Sequence, residues 1–218
     1  ARLGVPGGLA VLIEVTSFTL LALFIARLGI VSAAAHQIAS NLMAVAYMVP
    51  LSFGLATSAR VSYWLGAGDP AKARRACLTG FSMALLCSLA VCGFLVALHW
   101  QLPAVYSQNP AVVKMTAVLL LATAAYHLAD TVQTLCVFVL RCYRVTLAPL
   151  VIYCTLLWGA GLGGSYWLAF HGIGPFDAMP SPLTFWLTSA AALWVTALLF
   201  VALLWRAMAK SLVPRRSD

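Results

Sequence analysis

The chain has 218 residues, 63% of them hydrophobic and only 8% charged, with a mean hydropathy of +0.99 and a net charge of +8. A soluble domain is roughly 25% charged, so this composition excludes a fold that covers its own surface against water. The cations fall in gaps between apolar runs and form no patch, which excludes a nucleic-acid partner as well.

With the bilayer as solvent, every backbone polar group must be satisfied within a helix or a closed barrel. Barrel strands would show as segments of about ten residues with alternating polarity. The runs here are continuous and longer, so the expected fold is all-α, an integral membrane bundle of six transmembrane helices over residues 1–210. The spans lie near 4–26, 33–58, 76–99, 113–140, 146–170 and 183–206, each matching the roughly 20 apolar residues a crossing needs. Residues 211–218 read as a cytoplasmic tail.

The first span carries Glu14, with Ser17 and Phe18 on its face and Gly7 and Ala10 keeping that face small. The second carries His36, Gln37, Ser40, Asn41 and Tyr47, with Pro50 below them. Pro50 frees a backbone carbonyl and is expected to act as a hinge in this helix. After the turn sequence Leu65-Gly66-Ala67-Gly68-Asp69-Pro70 comes the third span, and Leu102-Pro103 closes its far end. The fourth span holds Thr123, Tyr126, His127, Asp130, Gln133 and Thr134, whose helical spacing forms one polar stripe. A polar stripe inside a span points inward, because lipid penalises it. The fifth span carries no Asp, Glu, Lys or Arg, and a loop from Gly172 to Pro182 leads to the sixth.

Orientation follows from the cations. With a cytoplasmic N-terminus, eleven of the thirteen Lys and Arg residues lie inside, Arg2, Arg215 and Arg216 among them, and only Arg27 and Lys114 face out. By the positive-inside rule both termini are cytoplasmic, in a multi-pass protein of the cell (inner) membrane. Trp64, Trp100, Trp167, Trp186 and Trp205 lie near span ends, as an interfacial aromatic belt predicts. The chain starts in what reads as the run-up to a helix, as a piece of a longer protein would.

Of five acidic residues, Asp69 and Asp177 sit in loops and Asp218 is terminal, while Glu14 and Asp130 fall inside apolar spans. A charge at mid-membrane costs about 2.5–3.5 kcal/mol on insertion scales, and such residues usually serve ion or substrate pathways. Glu14 is twelve residues from Arg2 and Asp130 eleven from Arg141. At about 1.5 Å per residue, both lie about 16–18 Å into the bilayer, deep enough to share one site. A carboxylate in a dry cavity needs either a proton or a cation, and competition between the two is the requirement for antiport. The alternative is a pair of structural hydrogen-bonding groups sealed between helices. Gln37, Asn41, Thr123, His127, Gln133 and Thr134 are the polar candidates for lining the cavity. His36 and His127 read as packing or hydrogen-bonding residues rather than metal ligands. The six cysteines form no CxxC pair and read as small core residues. There is no GxxxxGK[ST] phosphate loop and no GxSxG or HExxH, so neither ATP use nor an enzyme is indicated, and no cofactor beyond a coupling ion.

Leu3-Gly4-Val5-Pro6 with Glu14, Ala34-Ala35-His36-Gln37-Ile38-Ala39, Met48-Val49-Pro50-Leu51, Arg60-Val61, Leu65 to Asp69, Ala73-Arg74-Arg75, and Asp130 with Leu140-Arg141 occur in this order. The set resembles the second half of the MATE (multidrug and toxic compound extrusion) transporters, along essentially the whole chain. The resemblance implies the C-terminal six-helix lobe of a twelve-helix transporter, whose partner would be the missing N-terminal lobe. It implies a Na⁺- or H⁺-coupled antiporter that exports drugs or organic cations by alternating access. It also implies a coupling site of Glu14 and Asp130, with Tyr126 one turn before the Asp and Na⁺ held by the two carboxylates where sodium is the coupling ion. Cys142 stands where the family usually has Gly, which raises the question of the local backbone. A lipid-linked sugar flippase of the same superfamily and a non-transporting membrane scaffold are the alternatives. The flippase tends to carry more cations in its cavity, and no Lys or Arg lies mid-span here.

Overall fold

The computed structural model describes residues 4–172 and 177–212, and among these every regular element is helical. In chain order they are α1 (Gly4–Ala26), α2 (Ile30–Gly66), α3 (Pro70–Ala97), the short α4 (Gln101–Tyr106), α5 (Pro110–Cys142), α6 (Leu147–Ile152), a π-helical stretch (Tyr153–Gly163), α7 (Gly164–Phe170) and α8 (Pro182–Leu212). Since α6, the π stretch and α7 form one continuous rod, six rods make the bundle. Five helices are long and apolar enough to cross a membrane, and Val11–Ala26 of α1 is a shorter apolar one. Arg2, Arg215, Arg216, Asp218 and the tail beyond Leu212 lie outside the described residues, as do 173–176 of the last loop and the side chains of Gly7 and Ala10.

The rods outrun the apolar segments that define them. Hydropathy marks the part of a helix that lipid tolerates, whereas backbone hydrogen bonding continues until a residue stops it. So α2 runs past its apolar stretch through Arg60 and ends at Gly66, beyond which Gly68 takes φ 74°. Asp69 then caps α3, accepting from Lys72 N at 2.9 Å, with Pro70 in the first turn. That backbone N–H, with the Lys72 side chain, holds the Asp69 carboxyl below its ordinary range. Asn109 and Pro110 start α5 in the same way, through Asn109 Oδ1 and Ala111 N at 3.0 Å. At the other end of α5, Arg144 takes φ 60°, its N–H donating to Arg141 O and Val145 N–H to Leu140 O, both at 3.0 Å. This is the closing pattern that usually recruits glycine at the left-handed position. Cys142 is the last helical residue, two positions before the left-handed one, and needs no glycine. Pro50 is buried in α2, and the helix continues unbroken through it.

α5 is the central rod, packed against α2, α3 and α8. One end of the bundle is an apolar core of Val61, Ala73, Cys136, Leu140, Phe200 and Leu204, and the other is built on Leu21, Ile25, Ala35, Leu119, Ala169 and Phe185. Among helices in lipid, association comes from close packing and cross-helix hydrogen bonds rather than from the hydrophobic effect. Both are present between α3 and α5, where Ser88 and Thr131 hydroxyls meet at 2.7 Å and Cys92 Sγ donates to Ala124 O at 3.2 Å. Cys77, Cys92 and Cys136 are core residues, whereas Cys87 and Cys154 stand exposed on the outer faces of their rods. Lys72 lies over the Trp64 ring at 4.7 Å and Arg74 over Trp205 at 5.2 Å. Trp100 and Trp167 are exposed near rod ends. Trp186 departs from the aromatic belt: it is 1% exposed and belongs to the core.

α2 and α3 cross most tightly at Gly80, where an added Cβ would lie 2.1 Å from Thr57 Oγ1 and 2.6 Å from its Cγ2. Helix propensity favours Ala over Gly by about 0.8–1 kcal/mol, but overpacking a close contact costs about 1–3 kcal/mol. Gly80→Ala is therefore expected to lower stability by about 1 kcal/mol in thermal unfolding of the micelle-solubilised protein. Thr57→Ala in the same background removes the two nearest clashing atoms, leaving only Thr57 Cβ at 2.9 Å, and restores part of the loss. A Gly80→Ala protein as stable as its parent would show that the crossing is looser than described.

Candidate functional site

α1 presents Glu14 with Ser17 and Phe18, and α5 presents Asp130 with Tyr126 one turn before it. These side chains converge: Glu14 and Asp130 border one cavity of about 440 Å³, together with Val11, Val15, Phe18, Ser40, Met43, Ala44, Tyr47 and Tyr126. The wall is mainly apolar, with the two carboxyls and three hydroxyls as its polar groups. Behind it, Glu14, Ser17 and Tyr126 border a second cavity of about 30 Å³, closed by Leu157 and Gly161 of the π stretch and Trp186 of α8. A space of that size holds about one water-sized guest. The Ser17 hydroxyl on its wall is buried and has no hydrogen-bond partner.

Asp130 is 3% exposed. A carboxyl so buried is costly unless its oxygens are matched. Gln133 Nε2 donates to Oδ1 at 3.1 Å, and Thr134 Oγ1 approaches the same oxygen at 3.5 Å. Gln133 Oε1 in turn accepts from the hydroxyl of Tyr153, buried on the π stretch. The orientation of Asp130 is thus fixed through an amide anchored on another rod. Among the described residues, Lys72 with Asp69 is the only ion pair, and no Lys or Arg neutralises Glu14 or Asp130. Both acids stand without a resident counter-cation.

An aromatic wall flanks them. Phe18, Tyr126 and Trp186 pack edge to face, with ring centroids 5.7–6.4 Å apart. Trp186 Nε1 donates to His36 Nδ1 at 3.2 Å, which makes Nδ1 the acceptor of a neutral imidazole. Its Nε2–H then donates to Ser40 Oγ at 3.3 Å. His36 is a hydrogen-bonding link between α2 and α8.

The remaining candidates go elsewhere. Thr123 is fully buried and returns its hydroxyl to Leu119 O at 2.9 Å. His127 is fully buried with neither ring nitrogen hydrogen-bonded. Gln133 and Thr134 sit behind Asp130 rather than on the wall of either cavity that the acids border. Gln37 and Asn41 are exposed on α2 and bond to each other at 3.1 Å. Among the described residues, no group of three or more His, Cys, Asp or Glu side chains could hold a metal ion. Sequence reasoning missed Tyr153, and also Trp158, whose Nε1 donates to Ile13 O at 3.1 Å beside Glu14. Both sit in the π stretch. The signal for it was the run Gly159, Gly161, Gly163, Gly164, where Gly164 N–H reaches back to Gly159 O in the wider i to i−5 pattern.

A family model described as MatE matches residues 6–167. The chain is 38% identical over 203 residues to a probable multidrug resistance protein NorM of Aromatoleum aromaticum, covering 91% of this chain and 43% of that protein. It is also 38% identical to the multidrug resistance protein MdtK of Pectobacterium atrosepticum, covering 91% of this chain and 44% of that one. The chain thus spans less than half the length of these curated relatives. A crystal structure of MATE in the straight conformation superposes with a TM-score of 0.84 at 14% identity, over 96% of this chain and 46% of that one. The fold is that of half such a molecule.

Tyr153→Phe removes the donor to Gln133 Oε1 and leaves that buried oxygen orphaned, at a cost of about 1–3 kcal/mol. Thermal unfolding should show this loss. Thr155→Val, at an exposed neighbour on the same stretch, should stay within about 0.5 kcal/mol of the parent. Equal stability of both variants would break the proposed anchoring of Asp130.

Proposed function

The chain belongs to the MatE family, and from that premise we propose that it forms the C-terminal six-helix half of a cation-coupled antiporter that exports drugs or organic cations. The partner in this reading is a second six-helix lobe, and both termini of this chain face the cytoplasm. The carrying observation is that Glu14 and Asp130, on different rods, border one cavity, with no Lys or Arg among the described residues paired to either.

The mechanism follows from the cost of bare charge. In a chamber with apolar walls, an unpaired carboxylate is strongly disfavoured, so each acid holds a proton or faces a cation. A Na⁺ ion fits the donor chemistry, since hard cations take oxygen ligands, and two carboxylates and several hydroxyls converge here. The orphaned Ser17 hydroxyl beside Glu14 adds a further oxygen at a space of ion or water size. Organic cations satisfy the same carboxylates from the larger cavity, where Phe18, Tyr47 and Tyr126 offer ring faces. Coupling ion and substrate then exclude each other, and antiport follows once movement between the two lobes exposes the site to each side in turn. Gln133, held by Tyr153, keeps Asp130 aimed while its charge state changes.

The test uses the complete transporter in proteoliposomes, with gradient-driven efflux of an organic-cation dye as readout. Glu14→Gln and Asp130→Asn each remove a charge-assisted contact worth about 1.5–3 kcal/mol, so efflux should fall by roughly 10- to 100-fold at unchanged protein level. Glu14→Asp, which keeps the charge, should retain more activity than Glu14→Gln. Imposing Na⁺ and pH gradients separately identifies the coupling ion. Both neutral variants exporting as well as the parent would leave the acids as packing groups and end the coupling reading.

A further inference from the structure

Away from the acids, α2 and α3 enclose a groove of about 550 Å³ lined by Phe53, Thr57, Arg60, Trp64, Lys72, Arg75, Gly80 and Met83, with Ala56, Ala76 and Thr79 between them. Its polarity changes along its length. The end beside the Ala67 to Asp69 turn carries Arg60, Lys72 and Arg75, and the opposite end is Phe53 and Met83. Phe53 to Trp64 spans eleven residues of α2, and Lys72 to Met83 spans eleven of α3. At about 1.5 Å rise per residue the groove is thus about 16 Å long, cationic at its mouth and apolar in its depth.

The charge at the mouth is unbalanced. Lys72 pairs with Asp69 at 3.1 Å and lies over Trp64, but among the described residues no carboxylate pairs with Arg60 or Arg75. Both arginines are exposed. Two guanidinium groups facing one groove repel each other and offer planar donors suited to a phosphate. The groove lies on a rod pair whose surface is apolar above the mouth, where Leu55, Leu86 and Leu89 are exposed. An occupant must satisfy both ends at once.

We propose that this groove is a binding site for an anionic phospholipid, its phosphate held by Arg60 and Arg75 and an acyl chain laid toward Phe53 and Met83. Charge complementarity selects the head group, and the apolar half selects a lipid over free phosphate. The site is separate from the Glu14 and Asp130 cavity and stands or falls independently of it.

The experiment is native mass spectrometry of the complete transporter in mild detergent, comparing acyl-matched phosphatidylglycerol and phosphatidylcholine, with inorganic phosphate as soluble competitor. Phosphatidylglycerol should be retained preferentially. Arg60→Gln with Arg75→Gln should cut that retention roughly thirtyfold, at about fivefold per basic residue. Arg60→Lys with Arg75→Lys should keep most of it, and Lys114→Gln, at the other end of the bundle, should keep all of it. Met83→Trp, at an exposed position, should also lower retention, because it fills the apolar end without touching a charge. Equal retention of the two lipids, or no loss in the double Gln variant, overturns the site. Displacement by inorganic phosphate with no effect of Met83→Trp overturns the lipid assignment in favour of a soluble phosphate.

Discussion

The rest of this architecture answers to one constraint, which is that two carboxyls are held inside an apolar bundle with no Lys or Arg among the described residues paired to them. Charge in lipid is usually neutralised by a fixed partner, and a fixed Lys or Arg beside Asp130 would make the site inert. Here the partners of Asp130 are neutral, an amide and a hydroxyl, and these support the group without discharging it. In the proposed antiporter, neutral donors would leave the charge to be met by a cation or proton that comes and goes. Stability and function therefore impose opposite demands on the same oxygen. The arrangement meets both by placing the support behind the carboxyl and the cavity in front.

α5 makes this possible because it is surrounded. Its polar residues are buried along two faces, and each face is used differently. Thr116 and Thr123 return their hydroxyls to the carbonyl four residues earlier, which satisfies them without a partner helix, and Thr131 does the same while also meeting Ser88 of α3. Gln133 reaches outward to Tyr153 and joins α5 to the π stretch. The wider winding of that stretch, with its glycines, brings Tyr153, Leu157 and Gly161 inward against α1 and α8. Apolar packing closes the bundle at both ends, so the polar layer lies between two dry seals.

Much of this was legible in the chain itself. Composition and the length of the apolar runs together require a helical membrane bundle, and position inside those runs singles out Glu14 and Asp130 among the acids. What composition cannot supply is azimuth. Thr123, His127, Gln133 and Thr134 share helical spacing with Asp130, yet spacing does not say which side of α5 faces the cavity and which faces a neighbour. His127 shows the limit, because it shares the spacing and the burial but hydrogen-bonds to nothing. Trp186 shows it in reverse. Its position near a span end suggests an interface, whereas it lies in the core, bonded to His36. The π stretch was hidden for another reason: hydropathy is blind to whether a rod is wound with four or five residues per hydrogen bond.

Gln37 and Asn41 carry the argument outward. Both are exposed on α2, where acyl chains would have to meet two primary amides. Their mutual bond at 3.1 Å satisfies one donor and one acceptor and leaves the rest unmet. Lipid suits this surface poorly, and a wet cleft or a second protein surface suits it well. On the same helix, Ser40 and Tyr47 border the cavity of the two acids. The polar residues of α2 thus divide between its outer face, at Gln37 and Asn41, and the cavity of the acids, at Ser40 and Tyr47. In the proposed antiporter the outer face would meet the second lobe, where two primary amides find the partners that lipid denies them.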